Sequence, residues 1–390
     1  MTVNGTGFSQ ADLDSVLKPI ADARGLPNAC YLDSGYLAVE RDAVFAATWT
    51  AIGFGKDIPA AGNAVPVDAF GLPLLMLRDR KGAVRVFHNV CSHRGMRLVE
   101  EPTQIKGVIR CPYHSWCYGL NGELRSTPSI GGAGVNETAG FDRRQHGLRE
   151  VRTVLWMDVV FVNVGGEAPA FESHIAPLAR RWSEFHDAPL HHGGGDSGFE
   201  LTVRCNWKLA VENYCESYHL PWVHPGLNSY SRLEDHYHIR SENGAGFSGQ
   251  GTVVYRPILT ETGDTFPQLP GLSQKWDAGA EYVSLYPNAL FGVHKDHVFG
   301  IVLLPQGPEE TVERIEIYYF DDAARSDGFA GLRQSNARLW QQVFAEDVFA
   351  VEGMQRGRRS PGFTGGVFSP AMDGPTHDFH VWMAKRLQGA

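Results

Sequence analysis

Two short segments of the chain each supply one cysteine and one histidine. One residue separates Cys91 from His93 in the segment CSHRG, and two residues separate Cys111 from His114 in CPYHSW. Thiolates and imidazoles are both common metal ligands in proteins. Four such side chains on two loops therefore predict a closed metal site.

The distribution of these donors decides between two kinds of metal site. A structural zinc site usually has spacers of about two to four residues and places its cysteine pair before its histidine pair. Here each segment gives one sulfur and one nitrogen. In a Rieske [2Fe–2S] centre two thiolates hold one iron and two imidazoles hold the other. The pattern favours the Rieske cluster over zinc and over a chance grouping of core residues.

A second group of metal-binding side chains lies in the segment NWKLAVENYCESYHLPWVH, which contains His219 and His224. On an unbroken helix five residues turn through about 500°, so the two rings would point in different directions. Pro221 lies between them, and proline breaks helices. We expect a helix from Glu212 to His219, a break at Pro221, and a turn that brings the two rings together. Two ordinary histidines near a helix end are the alternative.

At this point the chain resembles a known family. The segments CSHRG, CPYHSWCYGLNGEL, NWK…EN…E..YH….H and EDVFAVEGMQRGRRS are similar to those of the catalytic α subunit of Rieske non-haem iron oxygenases, the ring-hydroxylating oxygenase family, over nearly the whole length. A Rieske cluster moves single electrons, so a second redox centre is expected. Two histidines and a carboxylate with open positions form the iron site of non-haem Fe(II) oxygenases.

The resemblance implies Asp347 as the carboxylate that completes the site. Glu346 and Glu352 are alternatives in the same predicted helix. Adjacent residues point about 100° apart on a helix, so only one of Glu346 and Asp347 can face the iron. We expect the other two acids on a solvated helix face.

Two further residues of the same segment are candidate catalytic residues. By resemblance, Glu216 connects the iron site to a Rieske histidine of a neighbouring subunit, although most ring-hydroxylating members have aspartate there. The alternative is a buried acid that orients His219 from the same helix face. Asn213 is a candidate amide that bonds to the ligands.

The resemblance also implies the cofactors and partners. They are one [2Fe–2S] cluster and one mononuclear Fe(II) per chain, with O2 as co-substrate. No nucleotide-binding motif is present, so NAD(P)H is expected to act through a separate flavin/[2Fe–2S] reductase. A homotrimer is implied as well.

The periodicity of the chain predicts an α+β fold in two domains. Short β-rich runs between turns predict an all-β domain over residues 45–165, which the resemblance identifies as the Rieske domain. Helical and strand-like runs predict an α+β domain over residues 166–390. The resemblance implies that this is the catalytic domain, with an antiparallel sheet flanked by helices. Residues 1–44 are expected to be a helical segment that packs on the catalytic domain.

The substrate class rests on a narrower resemblance. Glu216 and the segment LYPNALFGVHKDH resemble the branch that acts on quaternary ammonium compounds, which includes choline, glycine betaine and carnitine monooxygenases. Aromatic faces bind such cations, and the second half offers Trp207, Tyr214, Trp222, Tyr230, Tyr237, Tyr282, Tyr286 and Phe291. We expect hydroxylation or oxidative N-demethylation of a small quaternary ammonium substrate. A hydroxylase of aromatic rings or aromatic acids and a Rieske electron-transfer protein are the alternatives.

Charge and hydropathy exclude some partners. The chain has 35 basic and 44 acidic residues, a formal net charge of −9, which argues against binding to nucleic acid or anionic membranes. No apolar run approaches the roughly 18 residues of a membrane span. Residues 1–11 have neither a basic start nor an apolar stretch, so no secretory signal is expected and the cytoplasm is the expected location.

Overall fold

The computed structural model describes residues 9–241 and 246–388. The chain divides into two compact units. Residues Ala51–Ala168 form one, called the β unit, and Met1–Thr50 with Pro169–Ala390 form the other, called the α+β unit. The prediction about a secretory signal concerns residues 1–11, most of which lie outside the described residues.

The β unit is built from antiparallel strands. They are β1 (Thr50–Phe54), β2 (Asn63–Ala69), β3 (Leu72–Arg78), β4 (Val84–His88), β5 (Thr103–Gln104), β6 (Ile109–Arg110), β7 (Cys117–Tyr118), β8 (Leu124–Ser126), β9 (Glu150–Trp156) and β10 (Val159–Asn163). One sheet has the order β1-β10-β9-β4-β3-β2-β5, and a small sheet has the order β6-β7-β8. The predicted all-β character of this region is confirmed.

Strand β3 shows how the sequence builds the core beneath the cysteine and histidine segments. Successive side chains of a strand point to opposite faces of the sheet. Leu74 and Met76 accordingly join one apolar cluster, and Leu75 and Leu77 join another. The second cluster also contains Cys91, Cys111, Trp116 and Tyr118. Both ligand-bearing segments therefore rest on a packed core.

The α+β unit combines helices with one antiparallel sheet. Its helices are α1 (Gln10–Val16), α2 (Ala29–Leu32), α3 (Ser34–Glu40), α4 (Phe171–Arg181), α5 (Trp207–Cys215), α6 (Leu220–Val223), α7 (Pro225–Asn228), α8 (Ala330–Gly357) and α9 (Gly374–Gln388). Its strands are β11 (His191–His192), β12 (Gly198–Val203), β13 (His236–Arg240), β14 (Phe247–Thr252), β15 (Ala280–Leu285), β16 (Ala289–Val293), β17 (His297–Gly307) and β18 (Glu310–Tyr319).

The sheet has the order β11-β18-β17-β16-β15-β14-β13, and β12 also pairs with β18. Helix α5 packs on β14 and β15, α8 packs on β12, and α9 packs on β13 and β14. The predicted α+β fold, with an antiparallel sheet flanked by helices, is confirmed. None of the helices in the described ranges combines the length and hydropathy that crossing a membrane requires.

Helix α5 is anchored at its start by side chains from the N-terminal region. The Asn206 side chain accepts a hydrogen bond from the backbone N–H of Lys208 at 3.2 Å, which caps the helix. The fully buried ammonium of Lys208 lies 2.5 Å from the equally buried Glu40 carboxylate. Trp207 donates from Nε1 to the same carboxylate at 3.1 Å. These contacts hold the helix that carries Asn213.

Candidate active site

The two segments that carry Cys91, His93, Cys111 and His114 fold into similar tight loops. In the first, Cys91 N–H donates to the carbonyl of Met96 at 2.7 Å, and Gly95 N–H donates back to Cys91 at 3.0 Å. In the second, Cys111 bonds to Trp116 at 2.8 Å and Ser115 bonds to Cys111 at 3.0 Å in the same pattern. The fifth residue of each loop has positive φ, 74° at Gly95 and 57° at Ser115. The repeated turn places a cysteine at the start of each loop and the histidine two or three residues later.

The four side chains fit an iron–sulfur cluster. Cys91 and Cys111 are free, buried thiols, and the rings of His93 and His114 lie 4.8 Å apart. Burial, together with the neighbouring His114, lowers the pKa of His93, which favours the neutral imidazole that binds metal. The Nδ1 atom of His114 is buried and has no hydrogen-bond partner among the described residues. A bound iron would satisfy this nitrogen.

A hydroxyl group that the sequence did not single out contacts one of the sulfurs. Tyr118, at the end of β7, is fully buried and its hydroxyl lies 3.1 Å from Cys91 Sγ. Ser92 N–H donates to the same hydroxyl at 3.1 Å. Hydrogen bonds to ligand sulfurs help to set the potential of an iron–sulfur cluster. Tyr118 is therefore placed to tune it.

The segment with His219 and His224 breaks its helix earlier than expected. Helix α5 ends at Cys215, and Glu216 has extended backbone angles. Pro221 lies in the first turn of α6, where its missing N–H is tolerated. The expected helix from Glu212 to His219 and the break at Pro221 are therefore wrong. His219 precedes α6 and His224 follows it, so one short turn brings their rings to 5.1 Å.

Asp347 on α8 joins His219 and His224 in a group of three side chains that could hold a metal ion. His224 Nε2 lies 3.0 Å from Asp347 Oδ1, and His219 Nε2 lies 3.6 Å from the same oxygen. One donor atom from each of the three side chains falls within 4.8 Å of the others. Two imidazoles and one carboxylate converge on one point, and this donor set is the one that would hold a non-haem Fe(II).

Glu346, which precedes Asp347 in the sequence, contacts the site, although it was predicted to lie on a solvated helix face. Glu346 Oε2 lies 2.9 Å from His224 Nδ1, and Gln342 donates to Glu346 Oε1 at 2.9 Å. The prediction of a solvated helix face is wrong for Glu346, because the 100° step along the helix carries it to the far side of the same imidazole. Glu352 takes part in a different contact, since it accepts from Arg204 N–H at 3.1 Å.

Glu216 and Asn213 bond to two of these candidate ligands, His219 and Asp347. Glu216 Oε1 lies 2.6 Å from His219 Nδ1, and its other oxygen accepts from the backbone N–H groups of Tyr218 and His219. The contact arises from this turn and not from a shared helix face, so that part of the expectation is wrong. Asn213 Nδ2 donates to Asp347 Oδ1 at 2.7 Å. Both bonds hold ligands in place.

The electrostatics of the site reflect this density of acids. Burial lowers the pKa of His224, but hydrogen bonds and negative charge from Asp347 and Glu346 outweigh it, and the pKa lies above its ordinary value. Glu313 on β18 lines a neighbouring cavity of about 30 Å³ with Asn213 and Asp347. Burial, together with the charge of Asp347, raises the pKa of Glu313 to about 8. The sequence carried no signal for Glu313, which comes from a distant strand.

A cavity of about 40 Å³ lies against the three ligands. Its wall includes the aromatic side chains Tyr214, Tyr282, Phe299, Trp340 and Phe344. Only Tyr214 and Tyr282 were among the aromatic residues singled out from the sequence. Trp222, which was also among them, is 70% exposed and does not line the cavity.

Comparison with known proteins identifies the family. Residues 179–389 match the model described as "Ring hydroxylating alpha subunit (catalytic domain)". The chain belongs to the ring-hydroxylating alpha subunit family. Residues 48–138 of this alpha subunit match the Rieske [2Fe-2S] domain. The protein is therefore an oxidoreductase of the Rieske oxygenase type, and the match to the catalytic domain favours this over an electron-transfer protein.

Curated relatives of this alpha subunit include two monooxygenases. The carnitine monooxygenase oxygenase subunit of Acinetobacter pittii (strain PHEA-2) is 25% identical over 346 residues, which covers 87% of this chain and 86% of that protein. The chloroplastic choline monooxygenase of Arabidopsis thaliana is 26% identical over 383 residues, covering 95% and 84%. The predicted resemblance to the quaternary ammonium branch is confirmed.

A solved structure shows the same fold. The quaternary ammonium Rieske monooxygenase CntA in complex with L-carnitine aligns with this alpha subunit at a TM-score of 0.75 and 22% identity. The alignment covers 96% of this chain and 98% of that chain. At this identity the likeness concerns the fold, and the substrate must be argued from the site.

Proposed function

We propose that this oxygenase hydroxylates or oxidatively N-demethylates a small quaternary ammonium compound. The observation that carries the proposal is the aromatic wall of the cavity beside His219, His224 and Asp347. A methylated ammonium group is attracted to aromatic faces, by about 2 kcal/mol where the contact is desolvated. The relatives that act on carnitine and choline support the same substrate class.

The three ligands would hold a mononuclear Fe(II), which supplies the activation of O2 when bound. The chain's own residues prepare this site. Glu346 fixes the orientation and the tautomer of His224 from Nδ1, which leaves Nε2 for the metal. Glu216 does the same for His219. Asn213 holds the carboxylate of Asp347.

The overall reaction needs electrons from outside this chain. Insertion of one oxygen atom into a methyl C–H bond consumes O2, two electrons and two protons, and it releases water. If the methyl group is on nitrogen, the product is a carbinolamine, whose C–N bond breaks to release formaldehyde and the demethylated amine. We propose that a flavin/[2Fe–2S] reductase delivers the electrons from NAD(P)H to the cluster held by Cys91, His93, Cys111 and His114.

We further propose that the chain works as a homotrimer in which Glu216 connects the iron site to the Rieske histidine of a neighbouring subunit. The carboxylate is suited to this role because one oxygen already bonds to His219 and its side chain remains 15% exposed. A carboxylate between two imidazoles can couple proton movement to electron transfer.

A single-turnover experiment tests the substrate class. The iron-loaded protein is reduced chemically and exposed to O2 with a pool of trimethylammonium compounds and aromatic acids, and the products are identified by mass. A hydroxylated or demethylated amine, with formaldehyde where a methyl group is lost, is the expected result. A hydroxylated aromatic product would refute the proposal in favour of an aromatic hydroxylase.

Two variants of α8 test the aromatic wall. Phe344 lines the cavity, whereas Phe349 on the same helix is 66% exposed. Loss of one cation–π contact of about 0.5–2 kcal/mol predicts that Phe344→Leu raises KM for the ammonium substrate roughly 2- to 30-fold. Phe349→Leu should leave KM unchanged. Equal effects of the two substitutions would contradict a cation-binding wall.

A further inference from the structure

A larger cavity lies on the other side of the aromatic wall. This second cavity has a volume of about 350 Å³ and is lined by the strand ends and loops around Tyr255 and His294. The cavity beside the metal ligands measures only about 40 Å³.

Two polar atoms of the second cavity have no hydrogen-bond partner among the described residues. They are Nδ1 of His294, whose residue is 1% exposed, and the hydroxyl of Tyr255. The two rings lie 4.7 Å apart, centre to centre. Buried polar atoms almost always have a partner, because leaving one unpaired costs about 1–3 kcal/mol. The pair therefore indicates a ligand.

His297, which neighbours His294, differs from it in the hydrogen bonding of its ring nitrogens. His297 stacks on His294 with centroids 4.2 Å apart, but both of its ring nitrogens are bonded. Its Nδ1 bonds to Asp296 at 2.6 Å, and its Nε2 accepts from Trp340 at 3.2 Å. His294 uses only Nε2, which lies 3.2 Å from the Tyr282 hydroxyl.

The charges around the two atoms favour an uncharged oxygen. Burial and the neighbouring His297 lower the pKa of His294 well below its ordinary value, so the imidazole is neutral. The Asp296 carboxylate lies one stacked ring away. Two cationic side chains line the second cavity. Lys295 donates to the Asp277 carbonyl at 3.1 Å, and Arg256 is exposed. A carboxylate placed on His294 would face Asp296, whereas a hydroxyl both donates and accepts without adding charge.

The second cavity is coupled to the metal site through hydrogen bonds. Tyr282 and Trp340 line the smaller cavity, and they bond to His294 and His297 respectively. The wall between the two spaces is thus the aromatic pair itself. A group bound to His294 lies directly behind the rings that would hold a substrate.

We propose that the second cavity binds an uncharged hydroxyl oxygen of a small organic molecule through Tyr255 and His294. Because the aromatic pair separates the two cavities, this molecule is distinct from a substrate beside the metal ligands, and the inference does not rest on the proposed function.

Binding of two matched probes to the iron-loaded protein, measured anaerobically by titration calorimetry, tests the proposal. The neutral alcohol 3,3-dimethylbutan-1-ol has a hydroxyl without a cation, and propyltrimethylammonium has a cation without a hydroxyl. Tyr255→Phe is expected to weaken binding of the alcohol roughly 2- to 13-fold, the value of one hydrogen bond, and to leave binding of propyltrimethylammonium unchanged.

Tyr230→Phe is the matched control. Its ring lies 5.9 Å from that of Tyr255, but it does not line the second cavity. This variant should bind the alcohol as tightly as the wild type does. If Tyr255→Phe also does so, or if the wild type does not bind the alcohol, the hydroxyl site is refuted and the proposed function stands.

The two cavities are expected to bind independently, so the alcohol and propyltrimethylammonium should bind simultaneously. Competition between them would refute a separate hydroxyl site. If propyltrimethylammonium does not bind but the alcohol does so in a Tyr255-dependent manner, the hydroxyl site is supported and the quaternary ammonium function fails.

Discussion

Glu346 offers a direct test of how the iron site is held together. Its carboxylate lies 2.9 Å from Nδ1 of His224, a residue that is 2% exposed, while the other ring nitrogen faces Asp347. The substitution Glu346→Ala removes this bond and leaves all three proposed ligands in place. The imidazole then loses the group that fixes its orientation and its tautomer.

The structure allows the effect to be estimated. A hydrogen bond to a charged group contributes about 1.5–3 kcal/mol. The Glu346 side chain is 27% exposed, so water offsets part of this and the lower half of the range applies. At about 1.4 kcal/mol for each factor of ten, Fe(II) affinity should fall roughly 10- to 40-fold. Loss of comparable partners of metal ligands typically costs about 10- to 100-fold.

The assay is anaerobic competition for Fe(II) with a chromogenic chelator, with the cluster followed by its visible absorbance. The variant should fall from three irons per chain towards two at limiting Fe(II), while the cluster absorbance stays constant. Glu352→Ala is the control, because it removes the same charge from the same helix and Glu352 bonds to Arg204 instead. An unchanged affinity in Glu346→Ala, or an equal loss in the control, would refute the reasoning.

Three further substitutions test other parts of the molecule. Glu216→Gln should keep both metal centres in an iron assay yet slow steady-state O2 consumption at least about tenfold, because the uncharged amide carries protons poorly; normal turnover would rule out the bridging role. Tyr118→Phe removes the hydroxyl 3.1 Å from Cys91 Sγ. The reduced cluster should lose about 1 kcal/mol of stabilisation, which lowers its reduction potential by roughly 40 mV. A redox titration measures this potential, and an unchanged value would contradict the role of Tyr118. Burial alone would raise the pKa of Glu212, but the charge of His380 and further hydrogen bonds lower it to about 2. The ionised carboxylate stabilises the fold fully above about pH 4.5, and this contribution is lost as the pH falls towards 2. Between pH 5 and pH 3 the free energy of unfolding of Glu212→Gln, measured by urea denaturation, should therefore fall by about 2 kcal/mol less than that of the wild type. Equal losses would show that Glu212 does not contribute to the pH dependence of stability.

The sequence by itself determined the features that depend on short spacings. Two Cys-and-His segments, and two histidines five residues apart, are local patterns, and each is produced by one loop or one turn. The α+β class followed from periodicity for the same reason. The sequence did not determine that α5 ends at Cys215. The extended backbone at Glu216 is stabilised by contacts to His219, and no propensity scale includes such contacts.

Only the tertiary structure decided what surrounds the metal ligands. Glu346 reaches His224 because α8 lies beside the turn after α5, although the two residues are 122 positions apart in the chain. Phe299 and Trp340 join Tyr282 in one wall because β15, β17 and α8 meet there. The unpaired nitrogen of His294 becomes visible only when its neighbour His297 is seen to have both nitrogens bonded. Side chains far apart in sequence meet through packing, and packing depends on the whole fold, whereas a ligand spacing depends only on its own loop.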